Sequence, residues 1–198
     1  MILTLDRSLF LTLNHARHPV LDQVMPWFSD ISPFIPLILL VVVWRLWKGE
    51  KGEWLFWVAL AVGVIFTDFL CARVLKPLFG RPRPYLTLDH VYLLRHGKYV
   101  LLNAREAVST MKMSLAMPSC HASNTSFFAT FIALRFPRFT PFAILLILLV
   151  GYSRIYLGAH YPMDILGGVI TGGTIAVLLK FLLDWSRVHL RSRRQQNR

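Results

Sequence analysis

The chain has 198 residues, 55% of them hydrophobic, with a mean hydropathy of +0.51, a net charge of +12 and a pI of about 10.4. This apolar content is more than a soluble domain of that length can bury, and it gathers in long runs, so the bilayer is the solvent it suits. The Lys and Arg residues sit in short loops and at helix ends, which suits anionic headgroups and topology control, and nucleic acid is not expected as a partner.

The segment Met1 to Phe28 alternates apolar residues with Asp6, Arg7, Asn14, His15 and Arg17. Asp6 interrupts it early and no small-residue cleavage site follows, so a cleavable signal is not expected. An interfacial amphipathic helix over residues 1–28 is. Five membrane spans follow within residues 33–183. They are Pro33 to Trp47 (PFIPLILLVVVWRLW), Trp54 to Val74, Ser119 to Phe136, Pro141 to Tyr156 and Met163 to Leu183. Some fall short of the ~20 residues that cross a bilayer squarely, and polar ends and aromatic flanks must help them. The fold class is therefore an all-α integral membrane protein, a single domain of about five transmembrane helices in a bundle plus the N-terminal helix.

Five spans place the loop Lys48–Glu53, the turn Arg135–Arg138 and the tail 184–198 on one face. The tail's last twelve residues, RVHLRSRRQQNR, carry five arginines, and five of the six tryptophans (Trp44, Trp47, Trp54, Trp57, Trp185) form a belt beside it. That face is assigned to the cytoplasm, and the long segment 76–117 faces outward. Within it, Val91 to Leu102 (VYLLRHGKYVLL) reads as a hairpin around His96-Gly97, or equally as an irregular loop on the membrane. Gly168 and Gly172 form a small-xxx-small pattern for close helix packing. Asp68, inside the second span, is expected to pair with Arg73 or another interior cation. His15, His18, His90, His96 and His189 read as solvated. Cys71 and Cys120 have no CxxC or zinc spacing, so neither a disulfide scaffold nor a metal site is indicated.

Three clusters fall at span ends on the outward face. The first, Lys76-Pro-Leu-Phe-Gly-Arg-Pro-Arg83-Pro84, offers Lys76, Arg81 and Arg83 to phosphate oxygens, although a basic stop at a membrane edge explains it too. The second, Pro118-Ser119-Cys120-His121, puts Ser119 at a helix N-cap, where backbone amides and the helix dipole attract an anion. His121 stands beside that anion, able to deliver a proton. In the third, Ser153-Arg154 precedes His160 and Asp164. A His and an Asp four residues apart share a helical face, where the carboxylate fixes one imidazole nitrogen and leaves the other as a nucleophile. Charged groups at such a membrane end are costly unless used.

Together the clusters resemble the type 2 phosphatidic acid phosphatase family, whose motifs read Lys-x6-Arg-Pro, Pro-Ser-Gly-His and Ser-Arg-x5-His-x3-Asp. Residues 76 to 164 carry all three in order, with Cys120 in place of the family's glycine. The resemblance implies a catalytic set of His160 as nucleophile, Asp164 orienting it and His121 as acid, forming a phosphohistidine. It implies phosphate binding by Lys76, Arg83, Ser119, Cys120 and Arg154, and no metal or other cofactor. If the family's glycine serves through its N–H, Cys120 supplies one equally, while its thiol would narrow the pocket. A nucleophilic Cys120 lacks a base–orienter pair. The expected activity is hydrolysis of a lipid-linked phosphate or diphosphate in the bacterial inner membrane, with the site facing the periplasm or cell exterior. Polyprenyl diphosphate is narrowly favoured over phosphatidylglycerol phosphate and lipid A phosphates. Two alternatives are a lipid phosphotransferase using the same phosphohistidine and a non-enzymatic protein that binds anionic lipids. The sequence sets no oligomeric state.

Overall fold

A computed structural model describes residues 2–30, 35–48 and 53–196. The start of the first expected span, most of the loop Lys48–Glu53 and the last two residues of the tail lie outside the described residues. The N-terminal segment forms two helices, α1 (Ile2–His15) and α2 (Pro19–Ser29), where one was expected. Pro19 sits at the start of α2 and the His18 ring caps it, accepting from Val20 N–H at 3.2 Å. Then come α3 (Ile35–Lys48) and α4 (Glu53–Phe69). The helix of α4 runs on through π-helical turns at Leu70–Leu75 into α5 (Lys76–Phe79). It stops at Gly80, which takes φ 59° and returns its N–H to the Lys76 carbonyl at 2.9 Å.

The long segment 76–117 holds a hairpin of β1 (Val91–Arg95) and β2 (Lys98–Leu102), and then α6 (Ala104–Thr110). His96 and Gly97 form its two-residue turn with φ 50° and 77°, the left-handed pair that matches strand twist, so the hairpin is the form adopted. The remaining helices are α7 (Cys120–Arg135), α8 (Thr140–Tyr156) and α9 (Pro162–Gln196). The fifth span therefore continues as helix well past Leu183.

Among the described residues three helical stretches are long and apolar enough to cross a membrane: Glu53–Phe79, Pro137–Tyr156 and Pro162–Ser186. Their outward faces carry exposed Ile65, Phe66, Phe142, Leu148, Ile170 and Leu182, as lipid contact requires. Helix α7 lies among them and is more polar, burying Ser123 and Ser126. It packs chiefly on α9, where Gly168 and Gly172 admit its backbone. A Cβ at Gly168 would lie 2.6 Å from the Ser119 carbonyl oxygen, and one at Gly172 would lie 2.0 Å from that of Ser123. The small-residue spacing thus brings the start of α7 against the start of α9.

Two apolar clusters hold the ends. Away from the hairpin, Phe56, Phe127 and Phe131 stack, and Phe127 lies directly over Gly63. At that end Glu53 receives Arg45 at 2.6 Å and Arg135 at 3.8 Å, tying α3, α4 and α7, beside exposed Trp44, Trp47 and Trp54. At the opposite end Phe10 of α1, Tyr85, Val91, Leu93, Leu102, Ile155 and Tyr161 form the second cluster. The C-terminal ends of α5 and α8 and the N-terminal ends of α7 and α9 meet there.

Candidate active site

His160 lies in the tight turn between α8 and α9. Gly158 makes that turn with φ 78°, and a Cβ there would meet the Tyr92 carbonyl oxygen at 2.4 Å. Only glycine lets the turn lie this close to β1. The N–H groups of Ala159 and His160 both donate to the Arg154 carbonyl, at 3.0 and 3.3 Å. From α1, the Asn14 amide donates to the carbonyls of Tyr92, Ile155 and Tyr156 and accepts from Tyr92 N–H. One buried side chain thus locks the hairpin to the end of α8.

The His160 side chain is 1% exposed, and its Nδ1 faces the Asp164 Oδ2 at 3.6 Å. That is longer than a hydrogen bond, and Nδ1 has no partner among the described residues. Asp164 is itself fixed. Its Oδ2 accepts from Tyr161 N–H at 2.8 Å, its Oδ1 from Arg81 at 2.9 Å, and its carbonyl from Ser119 N–H at 2.9 Å. The last bond joins the second and third sequence clusters directly. Burial pushes the His160 imidazole well below its ordinary pKa, and the charges of Arg83, Arg154, Lys76 and His121 push it further the same way. Residues of all three clusters therefore act on this one imidazole, and its environment favours the neutral form.

The Lys76 ammonium donates to the Leu115 carbonyl at 2.8 Å, and Arg83 Nε points to the same oxygen at 3.5 Å. Arg154 donates to the Ser29 hydroxyl through one terminal nitrogen, while its buried Nε has no partner among the described residues. A cavity of about 540 Å³ opens beside these arginines, lined by Arg83, Arg154, Leu93, Trp27 and Ser29 of α2, and Asp30 just past its end. Its lining sets two guanidinium groups and the Asp30 carboxylate among apolar side chains.

Ser119 caps α7 as its sequence predicts, its Oγ accepting from Ala122 N–H at 3.5 Å, and it is fully buried. His121, in the first turn, is exposed. The spacing of the cysteines indicates no disulfide, yet Cys71 and Cys120 are bonded, with Cα atoms 5.6 Å apart. This corrects the Cys120 expectation. Its thiol is neither a nucleophile nor a pocket wall, and only its backbone N–H remains for an anion. Sequence spacing gave no warning, because the two residues are brought together by the packing of α4's extension on α7. Asp68 likewise accepts from Asn124 of α7 at 2.8 Å and does not pair with Arg73. Among the described residues no group of His, Cys, Asp and Glu could hold a metal ion.

Several residues that build the site carry no sequence signal of their own. Asp6, Asn14 and Ser29 come from the N-terminal helices, more than 100 residues from His160 in the chain. Asp6 and Asn14 stand in the sequence beside Arg7, His15 and Arg17, and nothing there separates the two that turn inward from the rest.

A profile of the PAP2 superfamily matches residues 53–187, which include every one of the three clusters. The chain belongs to the PAP2 superfamily. A lipid A 4'-phosphatase of Bacteroides thetaiotaomicron is 29% identical over 191 residues, covering 95% of this chain and 81% of that protein. A lipid A 4'-phosphatase of Porphyromonas gingivalis is 32% identical over 178 residues, covering 86% and 70%. Among solved structures, LpxE of Aquifex aeolicus superposes with a TM-score of 0.66 at 23% identity, over 87% of this chain and 92% of that one. The PAP2 assignment makes this chain a multi-pass membrane phosphatase, an enzyme, which removes the reading as a mere lipid-binding protein.

Proposed function

We propose that this PAP2 enzyme hydrolyses the phosphate ester of a lipid A-type glycolipid through a phosphohistidine on His160. The observation that carries the mechanism is the buried His160 imidazole facing Asp164 at 3.6 Å, with burial and the neighbouring Arg83, Arg154 and Lys76 opposing its protonation. In the empty site, burial and the neighbouring positive charges hold the proton off the imidazole, so His160 Nε2 is a ready nucleophile at neutral pH. A bound phosphate then neutralises those cations. As Nε2 bonds to phosphorus, positive charge grows on the ring, and Asp164 closes on Nδ1–H to stabilise it.

Lys76, Arg83 and Arg154 spread the charge of the transferring phosphoryl group, joined by first-turn amides of α7, where helix geometry leaves N–H groups without intrahelical partners. The substrate's negative charge offsets the cations around His121, so that His121 takes up a proton and gives it to the departing oxygen as the P–O bond to the lipid breaks. Water, deprotonated by the same His121, then attacks the phosphohistidine, releasing phosphate and restoring His160. No step draws on a metal.

The lipid A class replaces polyprenyl diphosphate as the favoured substrate because the two lipid A 4'-phosphatases align along 86–95% of this chain. The site is assigned to the periplasmic side of the bacterial inner membrane. The disulfide at the site end suits an oxidising compartment, and the arginine-rich tail and the tryptophans suit the cytoplasmic face at the other.

The test is phosphate release from lipid A, phosphatidylglycerol phosphate and polyprenyl diphosphate by wild type and His160→Ala, in EDTA. Release from lipid A by wild type alone, with an acid-labile phosphoenzyme trapped on brief mixing, is the expected result. Full activity of His160→Ala on every lipid would end the mechanism, and preference for another lipid would end the substrate assignment. An acceptor requirement for turnover would make the enzyme a phosphotransferase.

A further inference from the structure

Arg81 was one of three candidate phosphate cations, but the structure turns it away from that task. Its guanidinium lies over the Tyr161 ring, 3.9 Å from ring centre to Cζ, and spans two carboxylates. One terminal nitrogen donates to Asp164 Oδ1 at 2.9 Å, the other to Asp6 Oδ2 at 2.5 Å. The Asp6 and Asp164 side chains are 1% and 0% exposed, so neither charge is solvated and both pair with this one guanidinium. The second oxygen of Asp6 accepts Met163 N–H at 2.9 Å, in the first turn of α9 and adjacent to Asp164. Asp6 therefore holds both the cation that grips Asp164 and the backbone that carries it.

We infer that Asp6 and Arg81 are positioning residues for the Asp164–His160 couple, making the N-terminal helix a working part of the catalytic apparatus. This rests on His160 being the nucleophile. A guanidinium fork fits one carboxylate bidentately. With Asp6 in place, Arg81 spends one nitrogen on each partner, and Asp164 keeps Oδ2 turned to His160 Nδ1. Without the Asp6 charge, Arg81 closes both nitrogens on Asp164 and competes for the oxygen that the imidazole needs. The charges acting on His160 are then Lys76 from α5, Arg83 from the following loop, His121 from α7, Arg154 from α8 and a more fully neutralised Asp164 from α9. All but the last oppose protonation of the ring, and the last has lost much of its support for it.

The experiment uses the full chain in detergent micelles, comparing Asp6→Asn, Asp6→Glu and Arg81→Lys, with Phe10→Leu as a packing control on the same helix. Asp6→Asn is expected to lower kcat about ten- to a hundredfold, with KM nearly unchanged, the scale seen when a group orienting a reactive ligand is lost. The acid limb of kcat/KM moves to lower pH, and Asp6→Glu recovers part of both effects. Arg81→Lys, which cannot fork across two carboxylates, is expected to lower kcat as well, and it carries the test if Asp6→Asn does not accumulate. Phe10→Leu lowers the melting temperature but leaves the acid limb in place. NMR titration of the His160 imidazole without substrate shows the same displacement in Asp6→Asn. That readout is independent of turnover, so a wild type that releases no phosphate sinks the hydrolase reading and leaves this inference to the titration. A wild-type limb and titration in Asp6→Asn overturn it, and so does a loss of kcat that Phe10→Leu reproduces at equal melting temperature.

Discussion

Gly172 and Gly173 are neighbours on α9 that the structure sets apart sharply, and alanine at each tests how the active site is held. At Gly172 an added Cβ lies 2.0 Å from the Ser123 carbonyl oxygen and 2.7 Å from Phe127 N, both backbone atoms of α7. Ordinary contact begins near 3.4 Å, so the two helices must part by roughly 1.4 Å along that line. Overpacking of this kind costs about 1–3 kcal/mol. The same separation stretches the 2.9 Å bond from Ser119 N–H to the Asp164 carbonyl, which sets the α7 amides and His121 against the His160 turn. A misplacement of ~1 Å at reacting groups costs on the order of a hundredfold in rate. Gly172→Ala should therefore lower both the melting temperature in detergent and kcat, the latter about ten- to a hundredfold. At Gly173 the nearest atom to an added Cβ is the Ser126 hydroxyl at 3.6 Å, an ordinary contact. Gly173→Ala should be neutral or stabilising by up to about 1 kcal/mol, because alanine is the better helix former. Both variants are read by thermal unfolding and phosphate release. Equal behaviour of the pair, in either direction, would refute the argument from close helix approach.

Reduction of the Cys71–Cys120 bridge, which spans 49 residues, should lower stability by about 4 kcal/mol on the chain-entropy estimate, seen as a fall in melting temperature with dithiothreitol. Before reduction neither cysteine should react with maleimide. Asn14→Ala leaves the carbonyls of Ile155 and Tyr156 without their buried donor and should cost on the order of 2–4 kcal/mol, with lost protection of the hairpin amides in hydrogen exchange. Because burial and four neighbouring groups depress His160, its neutral, nucleophilic form persists below pH 6.5. The acid limb of kcat/KM should thus lie below that value, with activity lost only as pH falls through the depressed pKa. A limb at or above pH 6.5 would contradict the environment described for His160.

The three sequence clusters were legible because each is local. Motif spacing is a property of one short segment, and helix periodicity places His160 and Asp164 together without reference to the rest of the chain. The apolar runs likewise announced a membrane bundle, and the Gly168–Gly172 spacing announced a close helix contact. What the sequence could not show depends on contacts across long separations. The Cys71–Cys120 bond and the Asp68–Asn124 pair arise from how α4 and its extension lie on α7. The N-terminal helix read as a surface element because its few polar residues looked like a solvated stripe. Only the packed fold turns Asp6 and Asn14 inward, where burial obliges each to find partners: Asp6 on Arg81 and Met163, Asn14 on the carbonyls that end α8. The sequence by itself determined the phosphate chemistry and the membrane setting. The tertiary structure decided what holds that chemistry in place, because a buried charge has no signature until the groups that neutralise it are brought beside it.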